Sequence, residues 1–245
     1  MRATKDYRQS HAAPERGRDY DARYNTGATA FYWEHFERPC LEKIFTRLRD
    51  DGQQRYLDFA CGTGRIIGLG ASYFVETVGV DVSESMLAKA RSKVPQARFI
   101  LADVVRAPLD LGRFDVITLF RFLLNADAKL RDYVLDWLRQ AIRDSGTLIV
   151  NNHCNSNSVR GSIHLLRNGI RLGKPRKVLS DRAVRDLLSK HGFRVVEQHG
   201  FKMMPSFENR TVLPGAVLNR FERLIASLPT SHRFMENHIY LCRPA

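Results

Sequence analysis

Glycines and carboxylates are concentrated in one stretch of the 245-residue chain. In the segment 57–65, LDFACGTGR, a short apolar run passes into a turn of small residues and then into the start of a helix. Such a turn lets the backbone approach a ligand, and the free N–H groups at a helix start favour negative charge. The segment therefore predicts a site for a carboxylate or a phosphate.

Two further acids follow, each at the end of a predicted strand. Asp81 ends the run 78–81, VGVD, where a carboxylate can accept hydrogen bonds from both hydroxyls of a ribose, and Asp103 follows the run 99–102, FILA. The turn has the spacing A-x-G-x-G, which is neither GxGxxG nor a loop ending in GK[ST]. Dinucleotide binding, as in an NAD-linked oxidoreductase, is therefore the weaker interpretation.

Two residues outside this segment could act on a second reactant. His153 closes the fifth predicted strand and belongs to the residue type that titrates near neutral pH, so it is a candidate general base. A loop histidine bonded to backbone is the alternative. Arg121 lies between Phe120 and Phe122 just past a central strand, and it would either pair with an acid or bind an anionic acceptor.

The elements that must position these residues alternate between strand and helix. Strands are predicted over 56–59, 75–80, 97–101, 114–120, 147–150, 193–198 and 238–242, and helices over the 31–48 stripe, from about 64, from about 83, and over 128–142, 181–191 and 217–228. Ser83 or Ser85 would cap the third of these helices. Strands that alternate with helices predict a parallel sheet covered on both faces.

Composition limits the class of protein. The four cysteines stand singly without metal-ligand spacing, and no run reaches the roughly 18 apolar residues of a membrane span, so we expect a cytoplasmic protein without a metal site. The net charge is +13, and residues 151–245 hold 16 Lys and Arg against 6 Asp and Glu. This part of the chain could attract nucleic acid, an anionic membrane surface or an acidic small molecule, or be a solvated face.

From about 56 to 150 the sequence resembles the class I S-adenosylmethionine-dependent methyltransferases. The resemblance implies an α/β, Rossmann-like sheet of seven mostly parallel strands with the last strand antiparallel, helices on both faces, and S-adenosylmethionine as cofactor. Asp58 and the turn residues would hold the methionine part, Asp81 the ribose and Asp103 the adenine amino group. The remaining implied cofactor residues are Ala60, Cys61, Gly62 and Gly64 in the turn, Val82, Met86 and Val104 around adenine, and Leu119 and Phe120 near the sulfonium. Ala60 departs from the family pattern, which often has glycine there.

The resemblance also implies a domain plan and a third catalytic candidate. Tyr24 would fold over the reactive end of the cofactor, although ordinary packing is the alternative. We expect a single domain with an N-terminal arm and cap helix (1–50), a cofactor-binding core (53–152), an acceptor-cap insert (153–179) and the rest of the sheet (180–245). The acceptor cap carries the basic residues Arg160, Arg167, Arg171, Lys174, Arg176 and Lys177.

The sequence leaves the identity of the methyl acceptor open. The absence of N/D-P-P-Y/F after the fourth strand argues against amino methylation of adenine or cytosine, and Cys154 lacks the setting of a cytosine-C5 nucleophile. The favoured function is methyl transfer to an O or N atom of a small anionic acceptor such as a glycan, a lipid-linked sugar or an acidic metabolite, with loose membrane contact as a further prediction. A tRNA or rRNA methyltransferase and a non-catalytic cofactor-binding regulator stay open.

Overall fold

A seven-stranded sheet forms the centre of the computed structural model, which describes residues 26–170, 177–206, 210–226, 228 and 231–245. Its strands are β1 (Arg55–Phe59), β2 (Glu76–Asp81), β3 (Arg98–Leu101), β4 (Phe114–Leu119), β5 (Ile142–Asn152), β6 (Phe193–Phe201) and β7 (Asn237–Pro244). Their order is β3-β2-β1-β4-β5-β7-β6, and β7 alone runs antiparallel to its neighbours β5 and β6. The predicted architecture, including the antiparallel last strand, is confirmed.

Helices cover the sheet on both faces. They are α1 (Gly27–Tyr32), α2 (Arg38–Asp50), α3 (Arg65–Gly70), α4 (Glu84–Lys93), α5 (Ala128–Ala141), α6 (Val159–Gly169), α7 (Asp181–Lys190) and α8 (Gly215–Ala226). A π-helical segment, Trp33–Glu37, joins α1 to α2, so the predicted N-terminal stripe forms one continuous helical run. Ser83 precedes α4 as predicted, but its side chain makes no capping hydrogen bond.

The core lies in two layers, one on each face of the sheet. Four of the five residues of β1 and all six residues of β4 are buried, which explains their near-continuous apolar sequences. Helix α2 covers one face of the sheet because its residues Leu41, Phe45 and Leu48 pack with Tyr56 and its neighbours. No described helix is long and apolar enough to cross a bilayer.

The strand order reverses between β1 and β4, and the site lies at their carboxyl ends. From β1 the chain crosses to β2 on one side, whereas β4 pairs with β1 on the other side. In open α/β sheets this reversal leaves a crevice in which ligands bind. Ala60 (φ 60°) and Arg121 (φ 54°) follow these two strands, and both adopt the left-handed conformation that non-glycine residues rarely take.

Candidate active site

The glycine turn after β1 is built around left-handed backbone. Gly62 has φ 55° and donates its N–H to Asp81 Oδ2 at 2.8 Å. Gly64 has φ 87°, and a Cβ placed there would lie 3.1 Å from Ala90 Cβ, so glycine also allows α3 to approach α4. The turn is thereby fixed against the end of β2.

Asp58 lies beneath this turn with both carboxyl oxygens bonded inside the protein. Thr118 Oγ1 donates to Oδ1 at 2.7 Å, and the backbone N–H of Ile67 donates to Oδ2 at 3.0 Å. Burial raises the pKa of Asp58 to about 7, although both hydrogen bonds oppose the rise. Asp58 therefore ties β1, β4 and α3 together while it lines the cavity beside the turn.

That cavity, called here the turn cavity, offers charges of both signs. Its lining residues are Glu37, Asp58, Ala60, Cys61, Gly62, Thr63, Arg65, Ile66, Phe120 and Arg121. An amino acid end, with one ammonium and one carboxylate, matches such a set because each group finds an opposite charge. The predicted positions of Ala60, Cys61, Gly62 and Phe120 beside the methionine end are consistent with this geometry.

A second, mostly apolar cavity adjoins the turn on the β2 and β3 side. It is lined by Phe59, Ala60, Val80, Asp81, Val82, Ala102, Asp103, Val104, Val105, Phe122, Leu130 and Val134. Apolar walls with Asp81 and Asp103 among them suit a nucleoside, whose base stacks on hydrocarbon while its polar edges meet acids. Burial raises the pKa of Asp81, and the N–H groups of Gly62 and Ser83 occupy one lone pair on each of its oxygens.

Three of the predicted cofactor residues, Gly64, Met86 and Leu119, line neither of these two cavities. Met86 is buried beneath the turn, with its sulfur 3.7 Å from a Cβ placed on Gly62. Leu119 is fully buried in β4 and packs in the core. Together with Gly64, they shape the turn and the strand end from behind; their contact with cofactor stays a prediction.

A cavity of about 600 Å³ lies beside the turn cavity and is called here the acceptor cavity. It is lined by Ala28, Thr29, Tyr32, Glu37, Arg121, Leu124, Asn125, His153, Cys154, Arg160, His164, Lys177, Lys202, Ser206, Glu236 and Asn237. Glu37 and Arg121 line both cavities, so these two side chains mark the place where the cavities meet. Arg121 and His153, predicted from separate strands, are brought together here.

Glu37 is a buried acid that the sequence reasoning missed. Burial raises its pKa, and the nearby guanidinium groups of Arg121 and Arg65 act in the opposite direction. A signal was present, because Glu37 follows Trp33 by four residues and precedes Leu41 by four, which places an acid on the apolar face of the helix. A carboxylate on such a face needs a polar partner, and here its partners are site residues.

The strained backbone of Arg121 is held from two sides. Its N–H donates to Asn151 Oδ1 at 2.6 Å, and its carbonyl accepts a hydrogen bond from the Asn125 side chain. A left-handed non-glycine residue persists only where the surroundings fix it. These contacts set the direction in which Arg121 leaves β4, towards the junction of the two cavities.

Further cations line the acceptor cavity beside one acid. Lys202 Nζ lies 2.9 Å from Glu236 Oε1, and Arg160 Nη1 lies 3.6 Å from the same oxygen. Glu236 Oε2 and His153 Nδ1 are buried and have no hydrogen-bond partner within the described ranges. Because unpaired buried polar atoms are costly, these two atoms indicate where a polar ligand would bind.

The surroundings of His153 alter its predicted role. Burial lowers its pKa to about 3, and the positive charges of Arg121 and Lys202 act in the same direction. An imidazole of this kind is neutral at physiological pH but holds a proton weakly. It suits a hydrogen-bonding role better than proton abstraction.

A buried carboxylate fixes one wall of the acceptor cavity. Glu222 of α8 accepts the N–H groups of Lys202 (3.1 Å), Met203 (2.9 Å) and Met204 (2.9 Å), together with the hydroxyl of Tyr32 (2.8 Å). Tyr32 of α1 thereby reaches the acceptor cavity, whereas the tyrosine predicted to fold over the reactive end of the cofactor is Tyr24. Tyr24 itself lies outside the described residues.

Comparison with known proteins agrees with this geometry. Residues 57–146 match the methyltransferase domain family. The chain is 40% identical over 82 residues to trans-aconitate 2-methyltransferase of Variovorax paradoxus, covering 32% of this chain and 31% of that protein. It is 30% identical over 92 residues to malonyl-[acyl-carrier protein] O-methyltransferase of Enterobacter lignolyticus, covering 37% of each. The matched part is thus about a third of the length of these curated relatives.

The likeness extends over the whole fold in a solved structure. Magnesium protoporphyrin IX methyltransferase from Synechocystis, with bound S-adenosylhomocysteine, superimposes with a TM-score of 0.65 at 16% identity, covering 98% of this chain and all of that one. At this identity the match concerns the fold. The sheet order, the turn and the family match lead to one conclusion: residues 57–146 match a methyltransferase domain, within a chain that has the fold of solved S-adenosylmethionine-dependent methyltransferases.

Proposed function

We propose that the protein transfers a methyl group from S-adenosylmethionine to a small anionic acceptor bound in the acceptor cavity. The observation that carries the proposal is the junction at Glu37 and Arg121, where a turn cavity of the cofactor type meets a large cavity lined by cations. When bound, the cofactor supplies an electrophilic methyl group on a sulfonium. The contribution of the chain is to orient the reactants and exclude water.

The residues of the two cofactor cavities would divide that work. Asp81 would accept the ribose hydroxyls through its remaining lone pairs, and Asp103 would accept the adenine amino group. Arg65 and Glu37 would meet the carboxylate and the ammonium of the methionine end, with Asp58 below them. Val82 and Val104 would pack on the adenine ring.

An anionic acceptor is favoured by the balance of charge in its cavity. Arg121, Arg160, Lys177 and Lys202 face two lining acids, Glu37 and Glu236, so positive charge is in excess. Glu236 Oε2 and His153 Nδ1 can both accept hydrogen bonds. An acid that also carries a hydroxyl or an N–H group would pair with the cations and donate a hydrogen bond to these acceptors.

A carboxylate is the acceptor group that this chemistry suits best. A carboxylate is already ionised at neutral pH, so its methylation requires no general base, in keeping with the depressed pKa of His153. The two relatives above are named for trans-aconitate and for a malonyl group, which are both acids. These names support an acidic metabolite over a glycan.

The test is methyl transfer to a panel of di- and tricarboxylic acids, with matching amines and a bulk tRNA fraction as competitors. We expect methyl esters from acids and kcat/KM that is flat between about pH 8 and pH 9, above the pKa of Asp58, because no proton must be removed from the acceptor. Arg160→Gln should raise KM about tenfold or more through loss of an ionic contact. Arg182→Gln, whose side chain is 91% exposed, is the matched control. Methylation of RNA with no turnover on any acid would refute the proposal.

A further inference from the structure

Helix α6 has an inverted distribution of polar and apolar residues. Four aliphatic side chains follow the spacing i, i+4, i+7, i+11 and form one stripe on its outer side, called here the outer stripe: Val159, Ile163, Leu166 and Ile170. Their exposed fractions are 51%, 40%, 66% and 56%. In an ordinary surface helix this stripe would face the core.

The inner side of α6 is already occupied by polar contacts. Arg160 and His164 line the acceptor cavity, and a Cβ placed on Gly161 would lie 1.9 Å from the Asn155 carbonyl oxygen. Ser158 caps the helix by accepting the N–H of Gly161. The helix is therefore anchored through its polar side, and rotation that would bury the outer stripe would remove these contacts.

The segment of sequence that contains α6 carries charge of one sign. Between Asp144 and Asp181 the sequence contains no Asp or Glu, whereas it contains six Lys and Arg residues. Arg167 is exposed on α6 itself. An exposed apolar stripe in an acid-free, basic segment is typical of a helix that lies in the interface of an anionic bilayer.

We propose that α6 docks on the surface of an anionic lipid bilayer through Val159, Ile163, Leu166 and Ile170. Charge complementarity favours this occupant over a second copy of the chain, because pairing two stripes would bring two basic segments together. The contact is peripheral, since α6 has 11 residues and lies along the surface. It would place the acceptor cavity about one helix diameter from the lipid headgroups, because the opposite side of α6 lines that cavity. The proposal does not depend on the proposed methyl transfer.

The test is flotation of the full chain with vesicles of phosphatidylcholine alone and of equimolar phosphatidylcholine and phosphatidylglycerol. We expect binding to the anionic vesicles at low salt and a clear loss at about 0.5 M NaCl, where charges are screened within a few ångströms. Leu166→Ser should weaken binding about tenfold and Arg167→Gln several-fold. Val75→Ser is the matched control, since Val75 is 84% exposed before β2, at the amino ends of the parallel strands.

Folding and self-association are followed in the same samples. Far-UV circular dichroism must be equal for all variants, so that a loss of binding reports the stripe rather than unfolding. Absence of binding to anionic vesicles at low salt, or an equal loss in Leu166→Ser and Val75→Ser, would overturn the proposal. So would a dimer in solution that Leu166→Ser dissociates while no variant binds vesicles, because the stripe would then join two copies.

Discussion

Ala60 carries backbone strain at the first position of the cofactor turn. Its φ of 60° places a Cβ where the left-handed conformation disfavours it by roughly 1–2 kcal/mol. We therefore expect Ala60→Gly to stabilise the protein by up to about 1 kcal/mol, because glycine relieves the strain but loses more entropy on folding. Urea unfolding monitored by fluorescence measures the change.

The control for this substitution is Ala88→Gly in the middle of α4. Ala88 is exposed and helical, so the same change should destabilise by about 1 kcal/mol. If Ala60→Gly destabilises as much as Ala88→Gly, the turn does not strain residue 60.

His153 gives a prediction about protons. Its ordinary pKa of 6.5 falls to about 3 in the folded protein, mainly through burial. Below about pH 6.5 this histidine is protonated in the unfolded chain but stays neutral in the folded chain. Its neutral form therefore contributes to folding stability above that pH, and the contribution is lost as the pH falls towards 3. Histidine ring signals in NMR spectra should include an imidazole that stays neutral from pH 8 to pH 5 and that His153→Gln removes. Titration of the same signal near pH 6.5 would contradict the burial.

The residues that the sequence revealed and those that it missed differ in how they reach the site. Asp58 and Asp81 lie at the ends of the buried strands β1 and β2, and Asp103 comes two residues after β3, so their position is set by local order along the chain. Glu37 and Lys202 reach the site only because a helix and a strand end are folded over it. Glutamate and lysine are common on protein surfaces, so the residue type does not mark a buried site. Only the position of Glu37 on the apolar face of a helix indicated that it is buried.

At the scale of elements, α6 depends on one close approach of backbone. A Cβ on Gly161 would lie 1.9 Å from the Asn155 carbonyl oxygen, which is backbone and cannot rotate away. We expect Gly161→Ala to destabilise by about 1–3 kcal/mol or more and to weaken acceptor binding, since Arg160 and His164 move with the helix. Thermal unfolding and acceptor KM measure the two effects.

Gly169→Ala is the matched substitution at the other end of α6. A Cβ there meets nothing within 4 Å, so alanine should be neutral or stabilise by up to about 1 kcal/mol. Equal destabilisation by the two substitutions would show that the close approach at Gly161 is unimportant.

The sequence predicts the elements that are buried in the core more accurately than those whose residues are exposed. The central strands carry continuous apolar runs, and their predicted bounds agree with β1 to β4 within a residue or two. Strand β5 begins earlier than predicted, at Ile142, which pairs with Phe114 before a register irregularity, because the polar run 143–146 resembles a helix end. Helix α6 was absent from the predicted elements, although Ser158 and the helical spacing of its apolar residues were signals in the sequence.

At the scale of the whole molecule, ligand binding and folding stability are linked. A ligand that binds only the folded chain stabilises it by about 2.7 kcal/mol at a hundredfold excess over Kd. S-adenosylhomocysteine should therefore raise the Tm, and Asp81→Asn should remove at least about 1 kcal/mol of that gain by weakening hydrogen bonds to a charged acceptor. Asp186→Asn is the control, because its side chain is 72% exposed on α7. An unchanged ligand-induced shift in Asp81→Asn would exclude the ribose role.

The Glu222 carboxylate has a consequence for hydrogen exchange. Three successive amides, those of Lys202, Met203 and Met204, donate to this one side chain, which belongs to α8. None of the three can exchange with deuterium until the carboxylate withdraws, so all three should show one common protection factor. That factor would report the free energy of separating Glu222 of α8 from this segment, and a ligand that seals the cavity should raise the protection of all three amides by the same factor.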